Sequence, residues 1–145
     1  KVPDTIFMSA IEEKATPDDA ERFQIDMDDN VLTIERVRTA DGEPVVYCID
    51  KVPSNYLHQE FLTKDNISLF SALEKSANIR VTYAITQIDP IGYHDHVSPI
   101  LKTGKDTALL VLSQAHYDEY DRLVLYSKNY FRADKFSFHV VRKRM

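Results

Sequence analysis

The clearest hydrophobic pattern in the chain is an alternation along residues 31–39. Successive side chains of a β-strand point to opposite faces of the sheet. One face of this predicted strand therefore carries two apolar residues followed by two cations: Leu32, Ile34, Arg36 and Arg38. If the apolar pair faces the core, we expect the two arginines to face an enclosed space. The simpler alternative is a face that passes from core to rim, where both guanidinium groups reach water.

The Asp41-Gly42 pair lies between two β-rich segments and is a strong signal for a β-hairpin. Two loop geometries fit the residues. A two-residue loop would place Arg36 opposite Tyr47 on the second strand. A three-residue loop, with Gly42 in the left-handed region, would place Arg36 opposite Cys48 instead.

Two segments have the start signals of helices. Thr16 precedes Pro17 and two aspartates, which is typical of a helix N-terminus. Leu69 and Leu73 are four residues apart and predict a second helix that begins near Ser68.

Five further β-rich runs are 5–13, 78–88, 107–117, 122–131 and 135–144, the last of which alternates as a final strand. Residues 97–103 are ambiguous. Because strands outnumber helices and hairpins join most of them, we expect an α+β fold whose antiparallel sheet is covered by helices on one side.

Composition narrows the class of protein. The 145 residues predict one domain, and the formal net charge of -5 is unsuited to gripping nucleic acid with these residues alone. The single cysteine rules out an internal disulfide, and no apolar run approaches the roughly 20 residues that cross a bilayer. We therefore expect a cytoplasmic protein with no membrane partner.

Candidate chemistry is sparse. His94 and His96 have an H-x-H spacing but no third distant ligand, so a solvated loop is the better interpretation than a metal site. Cys48 has no adjacent base that would make it a nucleophile. No motif of a hydrolase, a phosphate loop or a glycosidase is present. The sequence predicts no catalytic residues, no metal and no cofactor.

The order of motifs resembles a known family. An R-x-R-x-x-D-G-x-P hairpin at 36–44, the segment SLFSALEKS at 68–76 and YFRAD at 130–134 all occur in the order found in UTRA domains. UTRA domains are the effector-sensing part of transcription regulators in the HutC subfamily of the GntR family. The resemblance covers essentially residues 1–145.

The resemblance implies a chorismate-lyase-like fold and a regulator, such as a repressor, that binds a small cytoplasmic metabolite. It also implies a homodimer in which DNA is contacted only through an N-terminal winged helix-turn-helix domain that this chain lacks.

The family's pocket arginines correspond to Arg36 and Arg38, and its helix-start serine corresponds to Ser68. An acidic pocket residue of sugar-phosphate sensors corresponds to Cys48, which favours the three-residue loop. Four polar family positions are replaced here, by Cys48, Phe70, Leu125 and Phe131.

These replacements keep an anion site but remove groups that would hydrogen-bond the hydroxyls or the amine of a sugar. An amino-sugar phosphate is therefore disfavoured, because its buried polar atoms would be left unpaired. We expect an anionic ligand with a flatter or more apolar body that stacks on Phe70 and Phe131, such as a carboxylate, a nucleotide or a phosphonate. A chorismate-lyase-like enzyme acting on a small carboxylate is the main alternative. A dimerisation module with a vestigial pocket is another.

Overall fold

The computed structural model describes residues 2–62 and 68–144, which form one antiparallel sheet with flanking helices. The strands are β1 (Pro3–Lys14), β2 (Asn30–Ala40), β3 (Glu43–Pro53), β4 (Val81–Ile91), β5 (Leu109–Asp118) and β6 (Leu123–Arg132). The helices are α1 (Pro17–Phe23), α2 (Leu69–Ala77) and α3 (Val97–Ile100), with a 3-10 turn at Gln59–Phe61. The strand order is β1-β2-β3-β6-β5-β4, and every neighbouring pair is antiparallel. The predicted α+β class is confirmed.

Helices pack on both faces of the sheet. Leu73 of α2 packs in one core cluster with Ile34, whereas Val97 of α3 packs in another with Val37 and Tyr47. Positions 34 and 37 of β2 point to opposite faces, so the prediction of helices on one side alone was wrong. The physical reason is that the central strands are apolar on both faces and need cover on both. No helix in the described part of the chain is long and apolar enough to cross a membrane.

The predicted helix starts are confirmed. The Thr16 hydroxyl accepts a hydrogen bond from the backbone N–H of Asp19 at 3.1 Å, and the Asp19 carboxylate accepts one from the Thr16 N–H at 3.0 Å. This reciprocal capping box satisfies two N–H groups that the first helical turn would otherwise leave unpaired. At α2, the Ser68 hydroxyl accepts from the Ser71 N–H at 3.3 Å. Ser68 is therefore the N-cap, as the sequence predicts.

The β2–β3 hairpin has the predicted register but a different loop. Asp41 and Gly42 both have positive φ, at 51° and 79°, which defines a two-residue loop with both central residues in the left-handed region. A β-bulge at Val45 then shifts the pairing by one residue. Arg36 consequently lies opposite Cys48, although the three-residue loop from which that register was predicted does not form.

The prediction of a final strand over residues 135–144 was wrong, because residues 136–144 have no regular secondary structure. The backbone N–H of Phe136 bonds the carbonyl of Arg132, which turns the chain as β6 ends. The rings of Phe136 and Phe138 then pack edge-on against Phe131, with centroid distances of 5.2 and 4.9 Å. These aromatic contacts place the two rings against β6 without extending the sheet.

Candidate functional site

The two arginines of β2 have different environments. Arg36 is 9% exposed, and its Nη2 donates to Oδ2 of the buried Asp50 at 2.8 Å. Arg38 is exposed, and among the described residues its guanidinium makes no hydrogen bond or ion pair. The expectation of an enclosed arginine thus holds for Arg36, while the rim alternative holds for Arg38. The pair offers one neutralised and one available cation.

A buried polar row extends from Arg36 across three neighbouring strands. Oδ1 of Asp50 on β3 accepts a hydrogen bond from the Ser127 hydroxyl on β6 at 2.5 Å. The same hydroxyl oxygen lies 3.4 Å from Nε2 of His116 on β5. Asp50, Ser127 and His116 are all buried. Burying these groups is tolerated because each has a hydrogen-bonding partner.

Two cavities meet at the arginines, which line both. The first, here called the Ser68 cavity, has a volume of about 230 Å³ and is lined by Ser68 and Phe70 at the start of α2 and by His116 on β5. The second, the Phe131 cavity, has a volume of about 760 Å³ and is lined by Phe131 among others. Arg36 and Arg38 can therefore contact a ligand that enters from either cavity.

The structure brings most of the predicted site residues together. The Ser68 cavity is lined by five of them: Arg36, Arg38, Ser68, Phe70 and Leu125. Phe131 lines the other cavity, so it does not share a cavity with Phe70 as joint stacking would require. Cys48 lines neither cavity. It is 1% exposed, and burial raises the pKa of its thiol although both nearby arginines oppose that shift.

Sequence reasoning missed the polar residues that complete the Ser68 cavity. They are Asp50, Gln114, His116, Ser127 and Asn129. The period of two in a strand could have found some of them, because Ser127 and Asn129 lie between Leu125 and Phe131 on one face of β6. Asp50 likewise follows Cys48 by two residues and lies on the same face of β3. A carboxylate is therefore present two residues after position 48, where sugar-phosphate sensors of the family have their acidic residue.

The H-x-H pair has a structural role. Nδ1 of His94 accepts hydrogen bonds from the backbone N–H groups of His96 and Val97, at 3.2 and 3.1 Å, where α3 begins. The His94 ring packs edge-on against Tyr130 at a centroid distance of 5.5 Å. Within the described ranges, no group of three or more histidine, cysteine or acidic residues could hold a metal ion. His94 serves as a packed cap of α3.

His116 predicts a pH dependence of stability. Burial lowers the pKa of His116 below its usual 6.5, although the nearby Asp50 acts in the opposite direction. As the pH falls, the unfolded chain therefore takes up this proton before the folded chain does. The contribution of neutral His116 to the free energy of unfolding is complete above pH 6.5 and is lost as the pH falls from 6.5 towards the folded-state pKa. We expect the urea midpoint to fall between pH 7.5 and 5.5, and His116→Gln to flatten that fall. The exposed His139→Gln is the control; an equal fall in all three proteins would contradict the assignment.

The comparisons with known proteins agree with this architecture. The family described as "UTRA domain" matches residues 1–137, so the chain belongs to the UTRA domain family. A comparison with curated proteins found no significant match.

Solved structures share the fold at low sequence identity. PhnF from Mycobacterium smegmatis is 24% identical with a TM-score of 0.85, and the match covers 99% of this chain and 64% of that one. The effector domain of PhnF is 23% identical with a TM-score of 0.87, covering 99% and 88%. A GntR-family transcriptional regulator from Bacillus cereus is 18% identical with a TM-score of 0.84, covering 97% and 99%. The chain therefore spans less than two thirds of the PhnF chain.

Proposed function

We propose that this UTRA domain binds a small anionic metabolite between Arg36, Arg38 and the start of α2. The observation that carries the proposal is the available Arg38 guanidinium at the junction of two cavities. An arginine presents a planar set of donors that matches carboxylate and phosphate oxygens. The N-terminus of α2 adds a positive helix-dipole end and the Ser68 hydroxyl on the same cavity.

Charge compensation limits the effector that the site can hold. Asp50 neutralises Arg36, so Arg38 supplies the remaining positive charge at the junction of the cavities. A ligand with one anionic group balances that charge, whereas a second buried anionic group would have to be desolvated without a matching cation. We therefore expect a ligand with a single anionic group, placed at Arg38.

The regulatory role follows from the class of domain. In a HutC-subfamily regulator of the cytoplasm, the effector changes DNA binding by a separate winged helix-turn-helix domain. An effector can do so only by its different affinity for two arrangements of the regulator. DNA contact is accordingly assigned to that separate domain, and the acidic balance of this chain agrees with the assignment.

Thermal unfolding against a ligand panel tests the proposal. The panel contains organic acids, phosphorylated sugars, nucleotides and phosphonates. A ligand present at 100 times its Kd adds about 2.7 kcal/mol to the free energy of unfolding, which raises the Tm of a domain of this size by roughly 8 °C. We expect such a rise with at least one anionic class; stabilisation only by uncharged compounds would contradict it.

The buried polar row bears on hydrolysis, which is a different activity from the chorismate-lyase-like alternative. A triad hydrolase places its histidine between the acid and the serine. Here Ser127 lies between Asp50 and His116, and its hydroxyl donates to the carboxylate. The serine proton therefore goes to the acid and not to the histidine, so the row does not have the order of a hydrolase triad. Recovery of any stabilising ligand unchanged after long incubation would agree with a sensor.

We also propose that the domain forms a homodimer through the edge strand β4. Most of β4 is exposed, including three large apolar residues: Tyr83, Ile85 and Ile88. The other edge strand, β1, also exposes three: Ile6, Met8 and Ile11. A long apolar edge strand has unpaired backbone groups and is usually covered. Sedimentation should show a dimer that Ile85→Lys dissociates and that Ile11→Lys, on the exposed edge strand β1, leaves intact. A monomeric wild type, or dissociation by the control alone, would contradict this interface.

A further inference from the structure

The buried polar row fixes which nitrogen of His116 carries the proton. An ionised carboxylate can only accept, so the Ser127 hydrogen is donated to Asp50 in their 2.5 Å contact. The Ser127 oxygen is then an acceptor for His116, and the nitrogen facing it across 3.4 Å is Nε2. Because a neutral imidazole has one N–H, Nε2 holds it and Nδ1 has a free lone pair.

The free nitrogen belongs to a ring that lines the Ser68 cavity. His116 is only 7% exposed, and among the described residues Nδ1 has no hydrogen-bond partner. The Phe70 ring packs edge-on against the imidazole at a centroid distance of 5.4 Å and restricts its rotation. The wall of the Ser68 cavity thus holds an acceptor that has no donor among the described residues.

A second acceptor lies on the same wall. Nδ2 of Asn129 donates to Oε1 of Gln114 at 3.1 Å, and Nε2 of Gln114 donates to the Thr86 hydroxyl at 3.2 Å. These bonds orient the Asn129 amide, whose residue lines the cavity, and leave its carbonyl oxygen without a hydrogen bond among the described residues. The wall formed by β5 and β6 therefore presents acceptors, whereas the arginines on β2 present donors.

The two walls are far enough apart for one small molecule to contact both. β2 and β5 are three strand spacings apart, so their backbones are separated by about 14 Å. The long Arg38 side chain reduces that separation, and the Ser68 cavity has a volume of about 230 Å³. This space suits a ligand smaller than a typical drug molecule.

From this arrangement we infer that the effector carries a hydroxyl or N–H donor at the end opposite its anionic group, and that His116 accepts its hydrogen bond through Nδ1. The inference rests on the proposed function, because it uses the same cavity and the same anion position. It makes His116 a specificity-determining residue, since a ligand without the donor would leave a buried acceptor unpaired. The polar wall also adds a donor group to the flatter or more apolar ligand body that the sequence predicts.

Nitrogen NMR on the ligand-free wild type tests the tautomer first. Long-range proton–nitrogen spectra above pH 7, with His116 assigned by its loss in His116→Gln, should show the proton on Nε2. A proton on Nδ1 would overturn the inference, because Nδ1 could then no longer accept. The tautomer is read on the wild type, and the variant serves only to assign the His116 signal.

Calorimetric titration with matched anions tests the ligand class. The pairs are 6-hydroxyhexanoate with hexanoate, 4-hydroxybenzoate with benzoate, and 4-hydroxyphenylphosphonate with phenylphosphonate. For at least one pair we expect the hydroxylated member to bind roughly 5-fold more tightly, as one net hydrogen bond gives. His116→Phe should remove that preference, and Arg38→Ala should weaken both members.

The outcomes separate this inference from the proposed function. Binding that needs Arg38 but shows no hydroxyl preference, or a preference that survives His116→Phe, would overturn the inference alone. Binding by no member of any pair would count against both.

Discussion

Replacing Arg38 with alanine is expected to abolish most of the stabilisation that an anionic effector gives. Truncating one partner of a hydrogen-bonded charge pair that binding desolvates costs on the order of 2 to 5 kcal/mol, and we expect the bound effector to cover Arg38 in this way. A loss near 2.7 kcal/mol raises the Kd about 100-fold. Ligand that was at 100 times its Kd is then only at its Kd, so the stabilisation falls from about 2.7 to about 0.4 kcal/mol. The rise in Tm should shrink from roughly 8 °C to about 1 °C.

The matched control for this prediction is Arg80→Ala. Arg80 is also exposed but does not line the Ser68 or Phe131 cavity. Because both arginines reach solvent, neither replacement should change ligand-free stability by more than about 0.5 kcal/mol. Equal loss of the ligand effect in both variants would point to general surface charge and would contradict a specific role for Arg38.

Replacing Asp50 with alanine should give the largest loss of ligand-free stability. Asp50 is 3% exposed and pairs with the 9% exposed Arg36, while also accepting from Ser127. Removing one member of a buried ion pair leaves the other charge without its counterion, which costs about 3 to 5 kcal/mol. For 145 residues this corresponds to a fall in Tm of roughly 9 to 15 °C. Urea unfolding should show a lower midpoint with an unchanged slope.

A double variant separates the ion pair from simple packing. Arg36→Met together with Asp50→Ala removes both charges, so it should be more stable than Asp50→Ala alone. The loss of unfolding free energy in the double variant is compared with the sum of the losses in Arg36→Met and Asp50→Ala. If the double variant loses that full sum, Arg36 and Asp50 do not depend on each other, and the ion pair is not the source of the loss in Asp50→Ala. The exposed Glu60→Ala serves as a control for the loss of an acid and should change little.

Much of the fold could be predicted because local chemistry determines it. Thr16, Pro17 and Asp19 specify the start of α1 through contacts within one helical turn, and Ser68 does the same for α2. The final strand could not be predicted, because alternation is equally compatible with the aromatic packing of Phe138 on Phe131. Alternation describes which residues are apolar but not which surface they contact.

The hairpin shows a correct register obtained from the wrong loop. Asp41-Gly42 signals a turn, but the turn signal alone cannot reveal a bulge at Val45 further along β3. The register predicted from the family resemblance was nevertheless right. A two-residue loop plus one bulged residue shifts the strands by as much as a three-residue loop would, so Arg36 still lies opposite Cys48.

The candidate site was only half visible in the sequence. The arginines and Ser68 could be found from alternation, a capping signal and the family motif. Asp50, Ser127 and His116 lie on three different strands and meet only because β6 pairs with β3 and β5. Neither the strand order nor the pairing register between distant segments is a local property, so no short pattern in the sequence joins them.

A crystal structure with the panel ligand that raises the Tm most is the most direct test of the proposed binding site. We predict an anionic group within about 3 Å of the Arg38 guanidinium, in hydrogen-bonding reach. A different cavity of about 390 Å³ lies against α1 and carries its own cations: Arg22, Lys51 and Lys128. A ligand seated there, with Arg38 left in solvent, would contradict the proposed site.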